Sequence, residues 1–348
     1  MISKQLLDIV MLVELGLLVL AVGLFFAHGL WLFLNERRVR RLTEAARDSL
    51  AHLATRGTVN VEEIEALRRA PNNVQVIAFL EMSRNVTGTG KERLSFVARQ
   101  VGLVDRARKL CVSRRWTRRL RGARILSRLD VVDPLVEQLL SDPHPAVRAQ
   151  AAEWAAAHPS VTVISAMLAL LADPATQARF AVQDALLRMG GIVAGPLAMF
   201  LESHAGRAAE AGLRVAESLA EPSFGPPGLR LSRADDVGVR IAAAKLLGAV
   251  GDAAAAERLM ELLDDADSSV RAAAAQSLGR MQHWQAAAQL AYHLRDSAWR
   301  VRRAAGLALR SIGAPGVLFL RRTLKEDDAF AADMAQQVLD LPAAAASG

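Results

Sequence analysis

A single cysteine, Cys111, occurs in 348 residues, which excludes an internal disulfide framework and fits a reducing compartment. Lysine is nearly as scarce. Five of the 43 basic residues are lysine, and with abundant alanine this bias points to a GC-rich bacterial genome. Seven histidines (His28, His52, His144, His158, His204, His283, His293) never fall at a short metal-ligand spacing, so no metal site is expected. A Gly-x-Ser-x-Gly elbow is missing. Gly88-Thr89-Gly90-Lys91 lacks the four-residue span between glycines, the Ser or Thr after lysine and the preceding strand that a phosphate loop needs. Asp264, Asp265 and Asp267 sit where an inter-helix turn needs caps. With no catalytic constellation, the chain is expected not to be an enzyme and to carry no cofactor.

What the chain does have begins with twenty residues, Leu15 to Leu34, that contain no formal charge. That length spans a bilayer as a helix. Trp31 suits the interfacial belt, and Arg37, Arg38, Arg40 and Arg41 follow at once, against Lys4 with Asp8 and Glu14 on the other flank. The positive-inside rule then places the N-terminus outside and the rest of the chain in the cytoplasm of a bacterial cell. A cleaved signal peptide fits less well, because its positive charge precedes the apolar run. A buried helix of a soluble core fits less well too, because the run is so uniformly apolar. The four arginines are candidate contacts for anionic lipid.

The second half repeats a phrase: an acidic residue, then Val-Arg-x-x-Ala-x-x-x-Leu, usually closed by Gly. It runs through Asp142/Arg148, Asp173/Arg179, Asp236/Arg240, Asp265/Arg271 and Asp296/Arg302. Arg240, Arg271 and Arg302 are 31 residues apart, as are Arg148 and Arg179. A period in that range predicts a solenoid of stacked helical units. Residues one before, three after and seven after each arginine share one helical stripe. The acid, six before the arginine in every pair but Asp236/Arg240, where it is four, is expected to cap the helix and meet an arginine on the next unit, making a ladder of Arg148, Arg179, Arg240, Arg271 and Arg302. Amphipathic first helices are predicted at 131–140, 161–171, 192–201, 253–263, 284–294 and 316–324, giving about seven or eight units.

These residues resemble the HEAT repeat family, including its short bilin-lyase-like units, from about Arg119 to the end. The resemblance implies an all-α fold, a right-handed α-solenoid of helical hairpins, here following one N-terminal transmembrane helix. It also implies scaffolding and binding of other proteins. The predicted layout is an extracytoplasmic N-terminus at 1–14, the span at 15–34, a helical stalk at 35–90, the solenoid at 91–340 and a disordered tail at 341–348. Within the stalk, Asn60 reads as the N-cap of a helix through Arg69, and a further helix is predicted from Val74 to Met82. Glu221-Pro222-Ser223-Phe224-Gly225-Pro226-Pro227-Gly228 stands where a first helix is due, and reads as an insertion, a break between halves or a loop presenting Phe224.

Charge is uneven. Residues 91–128 hold thirteen basic groups against Glu92 and Asp105, whereas 129–348 hold twenty basic and twenty-five acidic groups. The block is a solvated face, a surface on anionic lipid, or a grip on an acidic partner or nucleic acid. Its candidate partner-binding residues are Arg106, Arg108, Lys109, Arg114, Arg115, Trp116, Arg118, Arg119 and Arg121, with Phe224 added from the Pro/Gly run. The expected function is a membrane-anchored cytoplasmic adaptor for a protein partner on the bacterial cytoplasmic membrane, with an accessory subunit of a membrane glycosyltransferase for surface polysaccharide as its specific form. A nucleic-acid-binding or glycosylase-type protein using the arginine block is the alternative, disfavoured by the tether, and a bilin-lyase-like role is the third.

Overall fold

The computed structural model describes residues 4–56 and 61–342, and every regular element among them is helical. The expected cap at Asn60 and most of the expected tail lie outside the described residues. The chain divides into two units, 1–135 and 136–348.

The first unit opens with α1 (Lys4–Arg56), one helix of 53 residues and therefore about 80 Å long. It changes character along its length. Leu24, Phe25, Phe26, Leu30 and Trp31 are all more than half exposed, whereas Ala46, Leu50, Leu53 and Ala54 are buried. The buried stretch packs on α3 (Asn72–Asn85) and α4 (Thr89–Gln100), after the short α2 (Val61–Arg69). Leu50, Phe79 and Leu94 are among the largest fully buried side chains there. The helices α5 (Leu103–Cys111) and α6 (Trp116–Arg128) pair tightly, because Gly122 carries no Cβ. One added there would lie 2.7 Å from the carbonyl oxygen of Ala107 and from Cys111 Sγ. Burial, with the nearby charge of Asp133, pushes the Cys111 thiol up to about 12, so it stays protonated at neutral pH.

The second unit is a run of hairpins. They pair α7 (Pro134–Gln138) with α8 (Pro145–Ala155), α9 (Val161–Ala169) with α10 (Thr176–Met189), α11 (Ala194–Ser203) with α12 (Gly206–Leu219), and α13 (Gly225–Leu231) with α14 (Val237–Val250). Then follow α15 (Ala253–Leu262) with α16 (Ser268–Arg280), α17 (Ala287–Tyr292) with α18 (Trp299–Ile312), and α19 (Ala314–Thr323) with α20 (Ala329–Asp340). The stripe read from the repeated phrase forms the seam: Val239, Ala243 and Leu247, Val270, Ala274 and Leu278, and Val301, Ala305 and Leu309 are all fully buried. Second helices stack on second helices along this seam, α14 on α16 and α16 on α18.

The Pro/Gly run is corrected by the fold. It is neither an insertion nor a presenting loop, since Pro222–Phe224 form a 3-10 turn and Gly225–Leu231 form α13, the first helix of its hairpin. Pro226 and Pro227 occupy the first turn, where backbone N–H groups have no intrahelical acceptor and a fixed φ near −65° suits the helix. Phe224 is fully buried and cannot be a partner contact. The apolar stretch Thr176–Ser203 resembles a span in length, with mean hydropathy 1.4. It is α10 and α11 of successive hairpins, parted at Gly190, whose φ of +64° favours glycine.

Candidate functional site

Each ladder arginine stands fourth in its second helix, and its Nη1 donates to the two carbonyls of the turn before that helix. For Arg148 these are Asp142 O at 2.7 Å and Pro143 O at 3.0 Å; for Arg240, Ala234 O and Asp235 O, both at 2.9 Å; for Arg271, Asp265 O at 2.8 Å and Ala266 O at 3.1 Å. The other edge of the same guanidinium grips the acid of the following unit in a fork. Arg148 reaches Asp173 (2.6 and 2.8 Å), Arg240 reaches Asp265 (2.9 and 3.0 Å) and Arg271 reaches Asp296 (2.8 and 2.9 Å). Such bidentate, charge-assisted pairs are the strong kind. Two expectations are corrected. Each of these acids meets the arginine of the preceding unit, not of the next, and it braces the turn rather than capping the helix. Asp173, Asp265 and Asp296 accept from the backbone N–H two residues on, while caps fall to Asp236, Asp267 and His144.

Burial alone would raise the carboxyls of Asp173 and Asp296. The hydrogen bonds from Arg148 and Arg271, those from the backbone and the arginine charges outweigh it and hold both below the usual carboxylate range. Their arginines are largely buried, 13% and 15% exposed.

The ladder is incomplete. Arg179 holds its own turn through Asp173 O at 2.6 Å, but Ser203 stands where the next acid would be. In α12 the ladder position is Ala209, and the turn ahead of α14 carries Ala234 in the acid's place. At the far end Arg302 lies over the Phe330 ring at 5.1 Å, and its buried Nε has no hydrogen-bond partner among the described residues. Arg230 on α13 bridges the gap differently, donating to Leu201 O at 2.5 Å and His204 O at 3.1 Å at the end of α11.

In the first unit the arginine block sorts into two groups. Arg106 donates to Gln75 and to Val101 O, Arg108 to Asp133 at 2.6 Å and Asp105 at 3.1 Å, and Arg119 to Ser113 O and Arg114 O. Lys109, Arg114, Arg115, Arg118 and Arg121 are exposed, and Trp116 is 41% exposed at the start of α6. Arg106, Lys109 and Arg121 border a cavity of about 290 Å³ whose floor includes Val76, Leu103 and Ile125. On α1, Arg37, Arg38, Arg40 and Arg41 are all exposed, with Arg37 over the Phe33 ring and Arg40 paired to Glu36 at 2.7 Å. Lys91, in the run that superficially suggested a phosphate loop, lies inside α4 and pairs with Asp130 at 3.2 Å.

An apolar groove of about 800 Å³ that no sequence motif marks lies between α9 and α11, where Val161, Ile192 and Met199 are 87%, 57% and 73% exposed. The clue available was that these apolar residues sit beside, not on, the buried stripe of their helices. Among the described residues no cluster of three or more His, Cys, Asp or Glu could hold a metal ion.

A family model described as HEAT repeats matches residues 132–220, 211–279 and 256–340, more than half of the chain. No curated protein matches it. Among solved structures the chain is similar to an engineered protein (19% identity, 87% of this chain and 98% of that one, TM-score 0.39). It is also similar to Kap95p from its complex with RanGDP (12%, 86% and 51%, TM-score 0.48), about half of whose length it spans. A third likeness is to the CpcE–CpcF complex of phycocyanin lyase from Nostoc sp. PCC7120 (19%, 60% and 94%, TM-score 0.36).

Proposed function

Because this chain belongs to the HEAT repeat family, we propose that it is a membrane-anchored scaffold whose solenoid holds a partner protein at the cytoplasmic face of a bacterial membrane. The observation that carries the reading is the change of character within α1. In its Leu15–Leu34 stretch Phe25, Phe26 and Trp31 are left exposed by the described residues, while the same helix from Thr43 onward is built into the first unit. Water is a poor environment for so continuous an apolar surface, and a bilayer core about 30 Å thick is a good one. Arg37, Arg38, Arg40 and Arg41 then lie at headgroup depth, where each basic group near anionic lipid contributes about 1 kcal/mol. The orientation follows from the same four charges.

A repeat array offers an extended surface and few enclosed pockets, which suits a folded partner better than a small substrate. The exposed members of the arginine block, Lys109, Arg114, Arg115, Trp116, Arg118 and Arg121, are proposed as its contacts in the first unit. The specific partner proposed is a membrane glycosyltransferase of surface polysaccharide, for which a permanently tethered accessory subunit is physically apt. Purification of the full-length chain in mild detergent should retain a stoichiometric membrane enzyme, and deleting the gene should lower surface polysaccharide. Normal polysaccharide together with crosslinks to soluble proteins alone, from exposed sites on the solenoid units near Arg240 and Arg271, would remove the glycosyltransferase. A periplasm-active reporter fused after Gly348 should be silent; activity would invert the topology. Tight, strongly salt-dependent duplex binding would instead favour the nucleic-acid reading, which rests on Trp116 among the arginines.

A further inference from the structure

On the face made by α14, α16 and α18 lies a groove of about 350 Å³ with a floor of Ala272, Ala273 and Ala304. Its rim carries Lys245, Arg300 and Arg303, with Trp299, Ser269 and Gln276 between them, and among the described residues no carboxylate lines it. All three cations are exposed. Arg300 Nη1 donates to Ser269 Oγ at 2.7 Å, and the Arg303 guanidinium sits 5.7 Å from the centre of the Trp299 ring, so two of the three are positioned without being neutralised. Among the described residues none of the three is within ion-pair distance of an acid. This is anomalous in its setting, because residues 129–348 are net acidic and the ladder arginines of these same helices are engaged in their turns.

We propose that this groove binds an acidic, extended peptide segment of the partner protein, a reading that rests on the scaffold function proposed above. The chemistry selects a peptide. Carboxylates answer Lys245, Arg300 and Arg303. The small alanine floor lets a backbone lie close, Gln276 and Ser269 can exchange hydrogen bonds with it, and the 57%-exposed Trp299 receives an apolar side chain. Three cations are few for a nucleic-acid backbone, whose binding rests on neutralising many phosphates.

The test uses the full-length chain in a non-ionic detergent. A fluorescent peptide alternating Glu with occasional Leu should bind, and should weaken at least tenfold on K245E/R300E/R303E and on raising salt. A control of equal charge change at exposed sites, R207E/R321E/R322E, should bind within twofold of wild type. Circular dichroism and thermal melts should match for all three proteins, since every substituted side chain is exposed. No peptide binding by wild type, equal loss in the control, or preference for a single-stranded oligonucleotide of equal charge would each overturn the site. The same variants separate this inference from the scaffold reading. A partner still retained in full by K245E/R300E/R303E overturns the groove and leaves the scaffold standing, whereas absence of any partner from wild type removes the scaffold and leaves the peptide measurement to judge the groove.

Discussion

Helices α14, α16 and α18 are tied to one another twice, and α10 and α12 once. In the first set a forked arginine–aspartate pair crosses each step at the turn, and a close backbone approach crosses it further along. A Cβ on Gly248 would meet Ser277 Cβ at 2.4 Å, and one on Gly279 would meet Ala308 Cα at 2.8 Å. Ser311 Oγ also donates to Gly279 O at 2.9 Å. Between α10 and α12 the fork is missing, the residue at the glycine's position is the 37%-exposed Leu187, and one amide, Gln183 Nε2 to Ala211 O at 3.1 Å, crosses instead. A periodic sequence therefore does not mean uniform coupling. Because solenoid stability is approximately a sum of nearest-neighbour terms, the array is expected to open first where the rungs lapse.

The largest expected effect comes from removing one arm of an intact rung. Asp296→Ala leaves the largely buried Arg271 without its acid and should cost about 3 kcal/mol, read as a shift in urea midpoint. A cost under about 0.5 kcal/mol would mean that the fork is ornamental. Overpacking comes next. Gly279→Leu forces α16 from α18 and should cost about 1–3 kcal/mol, whereas Leu187→Ala, at the same position on α10, should stay within about 0.5 kcal/mol. Similar costs for the two would erase the contrast. In hydrogen exchange, amides of α10 and α12 should exchange before those of α16 and α18, and the reverse order would refute the placement of the weak step.

A smaller effect is set by His293, which is buried with Nε2 3.5 Å from Asp264 and Nδ1 3.8 Å from Asp296. Burial lowers its pKa more than the two aspartates raise it. The unfolded chain thus takes up the proton first as pH falls through about 6.5, so stability should decline below that point. His293→Gln should flatten that limb. Asp173 and Asp296, depressed in the fold, stabilise above their unfolded value of about 3.9, and that contribution should vanish as pH falls further, in the variant as in wild type. The smallest change is constructive: Ser203→Asp offers Arg179 a missing partner and should add up to about 1 kcal/mol. Destabilisation would show that the turn before α12 has a different shape.

The apolar run, the 31-residue step and the buried stripe at −1, +3 and +7 from each arginine were legible from the chain, because each depends only on spacing along a helix. Acid and arginine were also recognisable as a pair. Their partnership was not, since Asp173 is near Arg179 in sequence and bonded through its carboxylate to Arg148 of the preceding unit, a choice made by stacking. Phe224 shows the same limit from the other side. Proline and glycine in 221–228 describe local backbone preference and suggest a loop, yet two prolines in a first turn cost little, and packing against α14 turns the segment into a helix with Phe224 in the core. The groove bordered by Lys245, Arg300 and Arg303 had no linear signature at all, because its cations come from helices more than fifty residues apart in the chain. Local periodicity determined which residues face inward. Tertiary stacking alone decided which inward charges are satisfied and which outward charges converge, because both depend on neighbours that only the assembled solenoid supplies.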